Sequence, residues 1–163
     1  MLASGVAPVI ELRAAGVRLG LGTDGPAGSN NDLDMMEEMD LAAKLQKVTR
    51  MDPRALGAEQ ALELATIGGA RALHMEAEIG SLEAGKKADL IVLGLDAPHA
   101  VPLYQVYSQI VYALKASDVE TVVIAGRTVM EERRVLTLAE GEVLAKAREY
   151  GARVKRSLAA PQN

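Results

Sequence analysis

A single carboxylate near the start of the chain stands in a setting that suits catalysis. Asp24 directly follows the apolar run 17–22 and is flanked by Gly22 and Gly25. Such a run predicts a buried strand, and the glycines let the backbone turn sharply beside the carboxylate. At the carboxyl end of a barrel strand, this side chain would face the active site, where it could ligate a metal and accept a proton from water. Asp-Gly pairs are also common in ordinary turns, so a purely structural turn is the alternative interpretation.

The sequence offers few further ligands for a metal. A catalytic zinc usually takes three protein ligands, most often histidines. The chain has two histidines, His74 and His99, and no cysteine. His74 falls late in a predicted helix and His99 in a predicted loop, and we interpret both as structural or surface residues. We therefore expect the other ligands to come from outside these residues, and we expect this chain alone to bind no metal.

The elements around Asp24 alternate between helix and strand. A helix entered through Pro8 and stopped by Gly16 precedes the strand 17–22, and a long helix over 31–50 follows it. Acidic residues crowd the first turns of the long helix, where the helix dipole favours negative charge. Apolar residues at helical spacing predict its buried face, and three polar residues before it are candidate caps. The predicted face consists of Met35, Met39, Ala42, Leu45 and Val48, and the candidate caps are Ser29, Asn30 and Asn31.

Two short helices, over 58–64 and 67–74, follow the long one. The second is rich in small residues, which permit close packing against a neighbour. Alternation of helix and strand is typical of α/β proteins. The pattern predicts that residues 1–74 form the last strand–helix units of a (β/α)8 barrel of the TIM type.

The pattern changes after His74. A turn-rich bridge leads to an apolar strand at 88–93, and a loop at 98–102 is followed by a short helix over 103–114. Two strands, 119–124 and 127–129, flank an Ala-Gly turn, which predicts a hairpin. We expect a small β-rich domain over 75–137. An amphipathic helix and tail over 138–163 complete the prediction, and the apolar stripe of that helix contains Val143, Ala147, Tyr150, Val154 and Leu158.

Composition excludes several classes of function. Apolar residues make up 49% and charged residues 25% of the chain, the balance of an ordinary globular protein. A net charge of −4 with scattered basic residues argues against a nucleic-acid partner. No apolar run approaches the ~20 residues that a membrane span requires. The absence of cysteine and of a basic leader predicts a cytoplasmic location.

Several motifs resemble the amidohydrolase superfamily. The run LGTDGPAGSNNDLDMMEEM resembles the segment around the last barrel strand of its deaminases, and LASGVAPV resembles the stretch after the seventh strand. Further on, ATIGGARAL, IGSLEAGKKADLIVLGL and DVETVVIAGRTV resemble the barrel's end and the small β domain that follows it. Within the superfamily the match is closest to the methylthioadenosine / S-adenosylhomocysteine deaminases, with triazine chlorohydrolases as near relatives.

The resemblance implies a hydrolase that breaks a C–N bond, most simply a deaminase of an adenosine derivative or a related amino-heterocycle. A divalent metal, zinc in this branch, would activate the attacking water in the full-length enzyme. Asp24 matches the aspartate that ligates the metal and takes the proton of that water. Asn30 and Ser4 match loops that follow barrel strands and are further candidates for substrate contact. Capping the long helix is the alternative role for Asn30.

The histidines and the glutamate of the superfamily's metal site would precede Met1. The resemblance therefore implies the C-terminal part of an enzyme, with the remainder of the barrel or further copies of this chain as partners. A small amino-heterocycle is the expected substrate. The alternative is a non-catalytic assembly or binding module that has kept the amidohydrolase fold and is inactive alone.

Overall fold

The structure, a computed structural model, describes residues 4–26 and 30–159. Short helical turns lie at Pro98–Ala100 and Ala116–Asp118, and a π-helical turn at Gln109–Ala113 continues α5. The strands are β1 Leu90–Leu93, β2 Val119–Ile124, β3 Arg127–Glu131 and β4 Arg134–Val135. The α-helices are α1 Val9–Ala14, α2 Met35–Arg50, α3 Ala58–Ala65, α4 Ile67–Ala72, α5 Val106–Ser108 and α6 Glu140–Ala159.

The four strands form one antiparallel sheet in the order β1-β2-β3-β4. The hairpin between β2 and β3 is confirmed, and it turns at Ala125 and Gly126, whose φ angles are 50° and 77°. Two successive residues with positive φ match the right-handed twist of the strands that they connect. The two-residue strand β4 was not predicted, because it is too short to carry a pattern.

The long helix begins four residues later than predicted, at Met35 instead of Asn31. Its cap is Asp34, whose Oδ1 accepts hydrogen bonds from the backbone N–H of Met36 (2.8 Å) and Glu37 (3.2 Å). A carboxylate at this place satisfies two of the first helical N–H groups, which have no partner within the helix. Asn30 and Asn31 therefore do not cap the helix, and Ser29 lies outside the described residues.

The buried face of α2 is also rotated from the predicted one. Its buried residues are Met36, Met39, Ala43 and Gln46, whereas Leu45 is 44% and Val48 68% exposed. The buried amide of Gln46 donates from Nε2 to the carbonyl oxygen of Ala7 over 2.8 Å. A polar side chain with such a partner can lie in the interior, and apolar periodicity alone does not reveal it.

The predicted strand 17–22 forms no regular element and belongs to no sheet among the described residues. Two backbone hydrogen bonds hold it, from Val17 N to Leu12 O (3.0 Å) and from Leu21 N to Leu64 O (2.9 Å). A parallel strand is defined by neighbours that pair with it through crossover connections. The described part of the chain supplies no such neighbour for this segment, so it forms no strand here, and its place as a barrel strand stays a prediction.

Glycines allow α4 to pack closely against residues 17–22. A Cβ on Gly20 would lie 2.8 Å from the Cα of Gly69, and one on Gly68 would lie 3.1 Å from the carbonyl oxygen of Leu19. Real Cβ atoms essentially never come within 3.0 Å of another heavy atom, and 3.1 Å is tighter than most real Cβ contacts. The close packing that the small residues of this region predicted is therefore present.

The core joins helices from both sides of His74. It unites α2 and α3 with residues of the 100–114 region, whereas every residue of α6 is exposed. The division of the chain at residues 74 and 137 stays a prediction. The buried residues of the core are Met36, Met39, Ala43, Ala61, Ala100, Val111 and Leu114.

In the part of the chain that the structure describes, none of the helices combines the length and the apolar composition that a membrane span needs.

Candidate functional site

Asp24 lies just after residues 17–22, at a point where the chain turns. Its side chain is exposed, and its Oδ1 accepts a hydrogen bond from the backbone N–H of Gly25 over 2.7 Å. The hydroxyl of Thr23 donates to the carbonyl oxygen of Asp24 over 3.0 Å. These bonds orient the carboxylate while leaving it accessible to water.

The backbone of Asp24 is in the left-handed region, with φ at 57°. This region costs an L-residue energy, and aspartate and asparagine tolerate it better than other residues with a side chain. Residues in sparsely populated conformations cluster at active sites, where the surrounding structure holds them in place. The conformation fits a catalytic carboxylate and also the alternative of a plain Asp-Gly turn.

Asn30 is held to the N-terminal part of α2 rather than left free for a ligand. Its Nδ2 donates to Glu38 Oε1 over 2.7 Å, and its Oδ1 accepts from the backbone N–H of Asp32 over 3.0 Å. Partial burial, followed by repulsion from Glu37, raises the pKa of the Glu38 carboxyl above its usual value. Both ends of the Asn30 amide are thus engaged within the chain, and its predicted substrate contact stays a prediction. Ser4 is exposed at the beginning of the described residues.

Both histidines have partners of their own. His74 follows α4 and is exposed, with its Nδ1 3.0 Å from Nη1 of Arg18. His99 Nε2 lies 2.8 Å from Oδ2 of Asp118, a carboxylate whose side chain is only 5% exposed. The hydrogen bond from His99 is the main cause that lowers the pKa of the Asp118 carboxyl. His74 lies just beyond α4 instead of within it, and His99 lies in a short helical turn at the surface instead of in a loop. That neither histidine binds a metal stays a prediction.

A network of ion pairs centred on one carboxylate lies near the beginning of residues 17–22. Glu63 accepts from Arg13 over 3.0 Å and from Arg71 over 2.8 Å, one arginine at each oxygen. The hydrogen bond from Arg13 is the main cause that lowers the pKa of Glu63. These residues line a cavity of about 220 Å³ together with Arg18. The sequence gives no sign of this cluster, because Arg13 and Glu63 lie 50 positions apart.

The residues present fit a metal site only in part. In residues 4–26 and 30–159, one acidic group has three ligand atoms within 4.8 Å of one another, and it consists of Asp32, Asp34 and Glu37. Asp34 is occupied there as the cap of α2, so this group has a structural explanation. Asp24 is outside it and offers a single carboxylate. A carboxylate is a suitable zinc ligand, but three ligands require further residues.

Comparison with protein families identifies the fold to which Asp24 belongs. The sequence profile of the amidohydrolase family matches residues 1–129. A 5-methylthioadenosine/S-adenosylhomocysteine deaminase of Desulforudis audaxviator is 50% identical over 157 residues, which cover 96% of this chain and 36% of that protein. The 5-methylthioadenosine/S-adenosylhomocysteine deaminase 1 of Syntrophus aciditrophicus is 48% identical over 160 residues, which cover 98% of this chain and 36% of that protein.

Solved structures of amidohydrolase-type enzymes are also similar to this chain. A zinc-bound adenosine deaminase from Xanthomonas campestris superposes with a TM-score of 0.90 at 43% identity, over 95% of this chain and 35% of that one. An atrazine chlorohydrolase from Arthrobacter aurescens, complexed with zinc, superposes with a TM-score of 0.77 at 27% identity, over 89% of this chain and 32% of that one. The chain spans about a third of the length of the relatives it matches. The chain belongs to the amidohydrolase family.

Proposed function

We propose that this chain is the C-terminal part of a metal-dependent hydrolase that deaminates an adenosine derivative or a related amino-heterocycle. The observation that carries the proposal is Asp24, exposed just after residues 17–22 in a chain of the amidohydrolase family. Relatives at about half identity are named as deaminases of 5-methylthioadenosine and S-adenosylhomocysteine. Their names support this substrate class over guanine or a triazine.

In this proposal the segment 17–22 is the last strand of a (β/α)8 barrel, and Asp24 lies at its catalytic end. The glycine contacts with α4 support this placement. Parallel neighbours from the remainder of the protein would pair with the backbone groups of the segment. Residues 1–74 would then belong to the barrel, 75–137 to a small β-rich domain, and 138–163 to a terminal helix and tail.

The chemistry assigned to Asp24 is proton transfer. Zinc, which is present in solved relatives, would supply a lowered pKa for the attacking water when bound. Asp24 would be one of its ligands, would accept the proton of that water, and would pass it to the departing amine. A C–O bond forms at the ring carbon as the C–N bond breaks, and ammonia leaves. The hydrogen bond from Gly25 N–H to Oδ1 keeps the carboxylate in one orientation during this transfer.

A non-catalytic binding or assembly module is the second candidate. The observation that favours it is that residues 4–26 and 30–159 gather no three metal ligands around Asp24, since the one such group there consists of Asp32, Asp34 and Glu37. A module of this kind would bind partners through its surface and would give no ammonia in any assembly.

The test is the substitution Asp24→Asn in a chimera in which this chain replaces the matched part of the Desulforudis audaxviator deaminase. Asparagine also tolerates the left-handed backbone, so the fold is preserved while the proton acceptor is lost. We expect ammonia release to fall by at least about 100-fold. The assay uses a panel of adenosine derivatives, guanine and triazines, which also identifies the substrate class.

The matched control is Asp32→Asn, an exposed acidic residue a few positions further along the chain. It should keep nearly full activity, and both variants should melt within a few degrees of the parent chimera. A chimera with Asp24→Asn that still releases ammonia at a near-parental rate contradicts the catalytic role. An inactive but folded parent chimera favours the binding module.

A further inference from the structure

Three arginines from separate parts of the chain line the cavity of about 220 Å³ near the beginning of residues 17–22. Arg13 lies in α1, Arg18 in the segment that follows α1, and Arg71 in α4. The described residues that line this cavity do not include Asp24. The cavity is therefore separate from the candidate catalytic site, and the chemistry assigned to Asp24 does not account for its arginines.

One carboxylate holds two of these arginines in place. Oε2 of Glu63 accepts a hydrogen bond from Nη2 of Arg13 over 3.0 Å, and Oε1 accepts one from Nη1 of Arg71 over 2.8 Å. A guanidinium carries several N–H donors in a rigid plane, so each arginine keeps further donors after this bond. A guanidinium that is already fixed loses little freedom when it binds a second acceptor. The network therefore provides preorganised donors at the cavity.

The third arginine is held mainly through one nitrogen. Nη1 of Arg18 lies 3.2 Å from the carbonyl oxygen of Arg71 and 3.0 Å from Nδ1 of His74. Its ion pair with Glu76 is longer, at 3.6 Å, and both side chains of that pair are exposed. An exposed ion pair contributes little net attraction, so Glu76 compensates the charge of Arg18 only in part.

The group of charges around the cavity is positive. Three guanidinium groups are paired with two carboxylates, those of Glu63 and Glu76, and three positive charges against two negative ones leave a net charge of +1. Guanidinium groups match the oxygens of phosphate particularly well, because their donors can form two parallel hydrogen bonds. A phosphate-type oxyanion has the charge and the acceptor atoms that this cavity lacks.

We propose that this cavity is a binding site for a phosphate-type oxyanion, which accepts hydrogen bonds from Arg13, Arg18 and Arg71. The anion would join α1, residues 17–22 and α4 through the arginine that each of them contributes. Because it would bind the folded protein and not the unfolded chain, it should also stabilise the fold. The inference does not depend on catalysis by Asp24.

The first test measures the binding of inorganic phosphate by calorimetry, at constant ionic strength, to the chimera of this chain with the Desulforudis audaxviator deaminase. Arg18→Gln and Arg71→Gln each remove one cation from the cavity. We expect each substitution to raise the Kd for phosphate by about tenfold or more. Arg54→Gln is the matched control, because the Arg54 side chain is 89% exposed and pairs with Asp52 outside the cavity. It should leave the Kd within about a factor of two of the parent value.

A second measurement needs no substitution, so it remains decisive if a variant fails to fold. Phenylglyoxal modifies accessible arginines, and mass spectrometry gives the rate of modification at each position. Saturating phosphate should slow the modification of Arg13, Arg18 and Arg71 by at least about fivefold and leave Arg54 unchanged.

Adenosine 5′-monophosphate in place of inorganic phosphate identifies the source of the anion. Protection at a lower concentration than inorganic phosphate requires indicates a phosphorylated nucleoside as the ligand. Protection at the same or a higher concentration indicates free phosphate. Both results agree with an oxyanion site.

Three results overturn the proposal. Equal affinity for phosphate in the parent, both cavity variants and the control places the bound phosphate elsewhere, for example at a metal. Equal protection of Arg54 and the cavity arginines shows a general effect of phosphate on the surface or on the reagent. Cavity arginines that resist phenylglyoxal without phosphate, or that react at the same rate with and without it, show that no oxyanion of this class binds there.

Discussion

At the scale of single residues, two aspartates use their carboxylates in opposite ways. Asp24 is exposed on a left-handed turn, with the N–H of Gly25 bonded to one oxygen. Asp118 is buried, and its Oδ2 accepts from the backbone N–H of Lys115 and contacts His99, both over 2.8 Å. A carboxylate that must exchange protons with water needs access to solvent, and one that closes a turn needs enclosed donors. The environments agree with a chemical role for the first and a structural role for the second.

The buried pair predicts a loss of stability with a defined pH dependence. Asp118→Ala removes the acceptor for Lys115 and His99, and should lower the free energy of unfolding by about 1–3 kcal/mol at neutral pH. The folded state lowers the pKa of Asp118, so its contribution is present above the ordinary carboxyl pKa. That contribution is lost as pH falls through the folded value. Urea unfolding at pH 7 and below pH 4 measures the difference, which should shrink at the lower pH.

Asp96→Ala is the control for that experiment, because Asp96 is an exposed aspartate shortly before the helical turn Pro98–Ala100 that contains His99. It should change the unfolding free energy by less than about 0.5 kcal/mol. A cost for Asp118→Ala that matches this control, or that stays constant with pH, would contradict the assigned role.

The sequence drew attention to Asp24 through its flanking glycines. It could not reveal Asp118, whose partner His99 is 19 positions away.

At the scale of elements, local chemistry determined which predictions succeeded. The hairpin of β2 and β3 was predictable because its turn residues are adjacent in sequence. The start of α2 and its buried face were not, because they depend on the Asp34 cap and on the contact between Gln46 and Ala7. The segment 17–22 belongs to no sheet among the described residues, and in the proposed barrel its partner strands would come from other parts of the protein.

Packing of that segment against α4 gives a prediction at the same scale. Gly20→Ala would place a methyl group 2.8 Å from the Cα of Gly69, so one backbone must move. We expect a loss of about 1–3 kcal/mol in unfolding free energy, measured by urea denaturation. Gly22→Ala is the matched control, because a Cβ there meets no atom within 4 Å. Equal stability of the two variants would show that the glycine contact does not hold the segment to α4.

At the scale of the whole molecule, we expect the metal site to need more ligands than this chain supplies. A zinc site needs about three protein ligands, and we expect Asp24 to provide one of them. We predict that this chain alone, mixed with equimolar zinc and then desalted, retains less than about 0.1 equivalent. The same chain assembled with the remaining part of the Desulforudis audaxviator deaminase should retain about one equivalent. Elemental analysis of both samples measures how many equivalents of zinc each retains.

Two substitutions test which residues hold the zinc that is measured. In the assembly, Asp24→Asn should lower zinc retention, because an amide is a weaker ligand than a carboxylate, whereas His99→Gln should leave retention unchanged. Retention of a full equivalent by the chain alone would contradict the prediction. Loss of that equivalent on replacing His74 or His99 would then assign the metal to a histidine. In that case zinc would bind the ring nitrogen that is not in the printed contact, Nε2 of His74 or Nδ1 of His99, because Arg18 and Asp118 engage the other one. The contact with Arg18 or Asp118 would then orient the metal-binding ring, and the site would lie at that histidine instead of at Asp24.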